Sequence, residues 1–140
     1  MFSKLLDRID NLPNDVRKLQ FSCDVIRHVL KHAGIRLSET EKLLQQRAYC
    51  AKYGLVDPDV LRPFCTLARR ELKRKKSLPS APQILLLAIE NWSHCDPKTV
   101  LATCSCAINA MRELYTNQDG GDHAAHEKLS RILDRTEKTE

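Results

Sequence analysis

The chain has 140 residues and a mass of 16.0 kDa, with 23 Lys and Arg against 18 Asp and Glu, a formal charge of +5, and 42% hydrophobic residues. With only 4 Gly, 6 Pro and 5% aromatics, and no apolar run near the roughly 18 to 20 residues a membrane span requires, the composition excludes collagen-like, low-complexity and transmembrane classes. The opening Met1-Phe2-Ser3-Lys4-Leu5-Leu6-Asp7 is amphipathic and acidic within its first turns, unlike a signal peptide, so the expected compartment is the cytoplasm, with the nucleus second.

The periodicity is helical almost throughout, and no stretch shows the alternation of a half-buried strand. Leu5, Leu6, Ile9 and Leu12 repeat at helical spacing before Pro13. Asn14 is placed to cap a second helix whose apolar set runs from Val16 to Leu30, ahead of Gly34; that set is too wide for one stripe, which suggests two shorter helices with a bend near Cys23 or Asp24. Ser38-Glu39-Thr40-Glu41 reads as a capping box, opening a helix expected to run to Tyr53 and stop at Gly54. Asp57-Pro58 is a further start signal, followed by Val60, Leu61, Phe64, Cys65, Leu67 and Ala68. Ser77-Leu78-Pro79-Ser80-Ala81-Pro82 is the best boundary in the chain. Beyond it, Pro82 opens an apolar helix through Trp92, and Asp96-Pro97 opens another through Leu114, which Gly120-Gly121 closes. Residues 122–140 are amphipathic only through Leu129, Ile132 and Leu133, which predicts a polar, weakly ordered helix or tail.

Charge divides at the same boundary. Residues 1–78 carry 17 basic and 9 acidic side chains, a net of +8; residues 79–140 carry 6 and 9, a net of −3. Arg69, Arg70, Lys73, Arg74, Lys75 and Lys76 form the densest basic cluster. The opposite signs predict that the acidic extension docks on, or screens, the basic end of the first segment.

Cys23, Cys50, Cys65, Cys95, Cys104 and Cys106 contain no Cys-x-x-Cys pair, and without a secretory context they read as free, small buried hydrophobes rather than disulfides or zinc ligands. His28 and His32 share a helix face, but no third ligand accompanies them, and a partly exposed surface pair is expected. His94 beside Cys95 lacks an orienting group for nucleophilic chemistry. Nothing in the chain resembles a nucleophile elbow, a phosphate-cradling glycine loop or a zinc-protease motif. The expectation is a protein that is not an enzyme and holds no metal or cofactor.

The order of particular residues goes further than composition. Phe2-Ser3-Lys4-Leu5-Leu6-Asp7-Arg8-Ile9, Asp15-Val16-Arg17-Lys18-Leu19-Gln20-Phe21-Ser22-Cys23, Leu43-Leu44 with Tyr53-Gly54-Leu55, and Arg69-Arg70-Glu71-Leu72 together resemble the first, second, fourth and sixth helices of a death effector domain. Glu71 stands where that family has Asp, and Ser22 where it has Leu. The resemblance covers residues 2–78 and implies an all-α, six-helix death-fold-like bundle over 1–78, followed by a helical extension over 79–121. Ile84 to Ala110, with Ala88 to Trp92 ahead of Asp96 to Leu101, faintly resembles the later helices of a death domain, although added helices packing on the first segment account for the same residues.

The resemblance further implies that Asp15, Arg69 and Glu71 form a surface charge triad, in which the planar guanidinium bridges two carboxylates. Phe21 would be the aromatic element of a hydrophobic patch on the second helix. Arg70 and Leu72 complete the motif, and Lys73, Arg74, Lys75 and Lys76 extend its basic surface. The implied function is that of an adaptor or regulator in apoptotic signalling, binding other death effector domains of adaptors or initiator caspase prodomains, with head-to-tail stacking able to propagate into filaments. Two alternatives remain open at this level: nucleic-acid binding through the basic cluster, which lacks interleaved aromatics, and a helical scaffold of unrelated function.

Overall fold

In the computed structural model the described residues are 2–53, 58–75, 79–84, 88 and 97–138. They contain no strand. Six helices are delimited among them: α1 (Phe2–Asp10), α2 (Asp15–His32), α3 (Ser38–Lys52), α4 (Pro58–Arg74), α5 (Pro97–Leu114) and α6 (Gly121–Lys138). Residues 80–84 and 88 are helical as well. Trp92, His94, Cys95, Lys76 and the signals at Gly54, Asp57, Ser77-Leu78 and Asp96 lie outside the described residues.

The all-α class follows from the periodicity, and most helix boundaries follow from local chemistry. Pro13 cannot continue α1. Asn14 caps α2, its Oδ1 accepting the Arg17 N–H at 2.9 Å. The far end of α2 closes in a Schellman motif: the Gly34 N–H donates to the Lys31 carbonyl and the Ile35 N–H to the Leu30 carbonyl, both at 3.1 Å. Gly34 takes φ +69° there, a left-handed conformation that a side chain would strain.

The division expected near Cys23 does not occur: α2 is one continuous helix of 18 residues. Its apolar set is wide because it is covered on several sides, by α3, α5 and α6. Leu19, Phe21, Cys23, Val25, Ile26 and Val29 are all at most 2% exposed, and a helix apolar around most of its circumference is a central one. Ser22 shares this environment without penalty, because its hydroxyl donates to the Leu19 carbonyl at 2.7 Å.

Around α2 the remaining helices form two layers. On one side α5 and α6 pack against each other, and α1 packs on both; on the other side α3 packs on α2 and α4 on α3. The contacts therefore run across the boundary drawn near residue 79. Among the described residues, 2–75 hold four helices, and α2 finds its largest partner in α5.

The segment expected to be a weakly ordered tail is the 18-residue helix α6. Ala125, Leu129, Ile132, Leu133 and Thr136 are buried to within 1%, so a narrow stripe suffices when it lands on the central helix. Arg8 of α1 reaches Asp134 at 2.7 Å and Glu137 at 3.0 Å. Arg17 of α2 donates from Nη1 to the Thr136 carbonyl at 2.7 Å, placing a cation at the negative end of α6. The extension thus docks on α1 and α2, while α4, which carries the basic cluster, packs chiefly on α3.

Candidate protein-interaction surface

The Arg-x-Glu-Leu motif occupies the last turns of α4, and its residues divide by direction. Leu72 is 2% exposed and part of the core. Glu71 turns toward α3. Its carboxylate accepts the backbone N–H of Glu39 at 3.1 and 3.0 Å and of Thr40 at 3.1 Å, together with the hydroxyls of Ser38 and Thr40, both at 3.2 Å. Burial pushes the Glu71 carboxyl up, but these donors outweigh it and hold the group below the usual carboxylate range. Glu71 therefore caps α3 from another helix.

The capping box read at Ser38–Glu41 is corrected accordingly. Ser38 is already the first helical residue, the Glu41 N–H bonds the Leu37 carbonyl at 2.8 Å, and the free amides of the first turn are served by Glu71. An anion at this position also complements the positive end of α3.

The remaining site residues separate. Arg69 is half-buried, whereas Arg70, Lys73, Arg74 and Lys75 are exposed. These four cations form a ridge along the outer side of α4 and its exit. Asp15 is half-buried at the first turn of α2, close enough to Cys104 of α5 to act on its thiol. Of the triad expected from Asp15, Arg69 and Glu71, the Glu71 carboxylate accepts five hydrogen bonds from the first turn of α3. Phe21 is corrected more simply: at 0% exposure its ring is core, filling the space around α2, and presents nothing to a partner.

The other candidate centres are built from packing. Burial pushes the Cys23 and Cys104 thiols up to about 12. Each directs its S–H to a neighbouring helix, Cys23 to the Leu44 carbonyl at 3.7 Å and Cys104 to the Lys18 carbonyl at 3.4 Å. Cys50 and Cys65 are buried too, and Cys106 is half-buried. His28 Nε2 lies 3.2 Å from the Tyr115 hydroxyl, and the His32 ring lies 5.3 Å from the Tyr115 ring. Burial first, then Lys128, His32, Arg135 and Lys31, lowers His28 to about 4. Among the described residues no group of three His, Cys, Asp or Glu side chains converges as a metal site would require.

Two features escaped the sequence reading. Arg47 is fully buried in α3, although its place in the stripe Leu43, Leu44, Arg47, Cys50 marks it as inward-facing. Tyr49 on α3 and Tyr53, just past its last residue, are 54% and 57% exposed, with ring centroids 4.8 Å apart. Comparison of the chain with protein-family models, curated proteins and solved structures finds no match.

Proposed function

We propose that the protein is a non-enzymatic interaction module of the death-effector kind, a death-fold-like adaptor or regulator that binds acidic surfaces of related domains through the α4 ridge. The observation that carries this reading is the division of the Arg69-Arg70-Glu71-Leu72 motif. Glu71 and Leu72 fasten α4 to α3 and to the core, so Arg70, Lys73 and Arg74 stand on a rigid support with their charges in solvent. A fixed cationic ridge loses little freedom on binding and favours complementary charge, which governs encounter rate and register more than raw affinity. The contact would be asymmetric, basic ridge against acidic face. Phe21 plays no direct part in it.

The test is association of the full chain with an isolated death effector domain from an adaptor or an initiator caspase prodomain. Wild type and the double variant Arg70→Glu/Lys73→Glu are compared, with circular dichroism confirming equal folding. Binding that is lost in the charge-reversed variant supports the reading; equal binding by both, or none at micromolar concentration, overturns it. A duplex oligonucleotide serves as the second ligand. Association with it that weakens log-linearly with salt, in the absence of domain binding, would transfer the ridge to phosphate recognition.

A further inference from the structure

Ion pairing is spread unevenly over the surface. Arg8, Lys18, Lys42, Arg62, Arg112 and Arg131 each hold a carboxylate within 4.0 Å. Several other described cations hold none, Arg70, Lys73 and Arg74 of the α4 ridge among them, and four of these unpaired cations, Arg27, Lys31, Arg36 and Lys75, line one groove of about 1200 Å³. The groove forms where the Schellman end of α2, the first turns of α3 and the exit of α4 meet. Leu30 and Ile35, the residues joined by that motif's outer hydrogen bond, supply apolar lining.

Three features narrow what the groove accepts. The Arg27 side chain, whose Nε is buried without a hydrogen-bond partner, lines this groove as well as a smaller cavity beside Asp24 and Arg135, so its charge is available from the groove side. Two acids, Glu41 and Glu71, also border the groove, but Glu71 is committed to the amides of α3, and the four cations outnumber the pair. The volume exceeds the roughly 300–1,000 Å³ of small-molecule pockets, which points to a peptide. Arg27 and Lys31 are four residues apart on α2 and share a face, so they present two cations one helical turn apart.

We propose that this groove binds an acidic amphipathic helix of a partner protein. Its carboxylates, spaced one turn apart, pair with Arg27 and Lys31 on one wall and with Arg36 and Lys75 on the other, and an apolar side chain between them rests on Leu30 and Ile35. This is the helix-in-groove mode of recognition, with charge fixing the register. It does not depend on the partner being a death effector domain, and Arg70, Lys73 and Arg74 lie outside the lining.

The test is a selection of displayed random peptides of about sixteen residues, long enough for four helical turns, on the full chain. Peptides that also bind the double variant Lys31→Glu/Arg36→Glu are removed; both substituted side chains are exposed, and matched thermal melts confirm the fold. The expected result is a set of sequences with Asp or Glu on one helical face and Leu or Ile on the other. Fluorescence anisotropy should show their binding weakened at least about tenfold by the double variant and by Arg27→Gln, and unchanged by Lys73→Glu.

Failure to recover any peptide that distinguishes wild type from the double variant overturns the proposal, as does recovery of uncharged or basic sequences. Equal binding after the peptide's Leu residues are changed to Gln, together with displacement by a short duplex oligonucleotide, overturns it in favour of a phosphate-binding surface. Loss of domain binding in Arg70→Glu/Lys73→Glu bears on the α4 ridge alone, so the two readings fail separately.

Discussion

Glu71 shows how a residue's role depends on what lies across from it rather than on its own motif. Its carboxylate takes five hydrogen bonds from the first turn of α3, so Glu71→Ala leaves those amides without their cap. A loss of about 1–2 kcal/mol is expected in urea unfolding, the range for an N-cap removal, with Glu71→Gln losing less because it retains an acceptor oxygen. His28 is likewise lowered, but because burial and cations disfavour its charged form. Its folded value of about 4 lies below the roughly 6.5 of an unfolded imidazole, so between those values the unfolded chain binds a proton that the folded chain does not. Stability therefore falls as pH drops from about 6.5 to about 4 and levels off for this group below that. The responsible neighbours are His32 and Lys31 on α2 and Lys128 and Arg135 on α6; His28→Gln should flatten the slope of melting temperature over that window, and an unchanged slope would assign it elsewhere. The thiols give a third readout. With Cys23 and Cys104 pushed up to about 12 by burial and Cys106 only half-buried, a brief iodoacetamide pulse on native protein should label Cys106 well ahead of both when mapped by mass spectrometry.

At the scale of elements, the helices that announced themselves did so through caps and breakers: Pro13, Asn14, Gly34, and the prolines Pro58 and Pro97 that open α4 and α5. Side-chain direction was also legible where the pattern was narrow, as at Leu129, Ile132 and Leu133. What local pattern does not encode is which helix covers which. The wide apolar set of α2 looked like two helices because a helix covered on several sides keeps only a narrow solvent-facing strip, and Phe21 looked like a surface aromatic because its burial depends on neighbours far along the chain. Glu71 capping α3 joins residues 31 and 32 positions apart, a pairing that no local motif predicts. The same applies to α6, whose attachment depends on Arg17 and Arg8. Arg17 gives a charged, partly buried hydrogen bond to Thr136, whereas the side chains of the Arg8 pairs are 35–52% exposed. Arg17→Ala should therefore cost about 1.5–3 kcal/mol and speed hydrogen exchange over 121–138, while Arg8→Ala costs less than about 1 kcal/mol. Equal effects from the two would show that exposure does not rank them.

For the whole molecule, the charge split of +8 and −3 acquires a different meaning once the packing is known. Among the described residues α5 and α6 pack on α1 and α2, and Arg70, Lys73, Arg74 and Lys75 are exposed. The first 78 residues consequently lack part of the surface their central helix requires. In the full chain Leu19, Cys23, Val25, Ile26 and Val29 are at most 2% exposed, and removing α5 and α6 strips one side of α2 while leaving only α3 and α4 on the other. An apolar face of that extent exposed to water is incompatible with a stable small domain, because burial of such side chains supplies about 1.5–3 kcal/mol each. A fragment ending at residue 78 should thus lose the cooperative thermal transition, bind a hydrophobic dye, and exchange the α2 amides rapidly. The full chain should show a single transition in which the helices on both sides of residue 79 melt together. If the fragment instead unfolds as sharply as the parent and keeps its α2 amides protected, residues 1–78 form a module in their own right, and the contacts of α5 and α6 on α2 are an accessory rather than a condition of the fold.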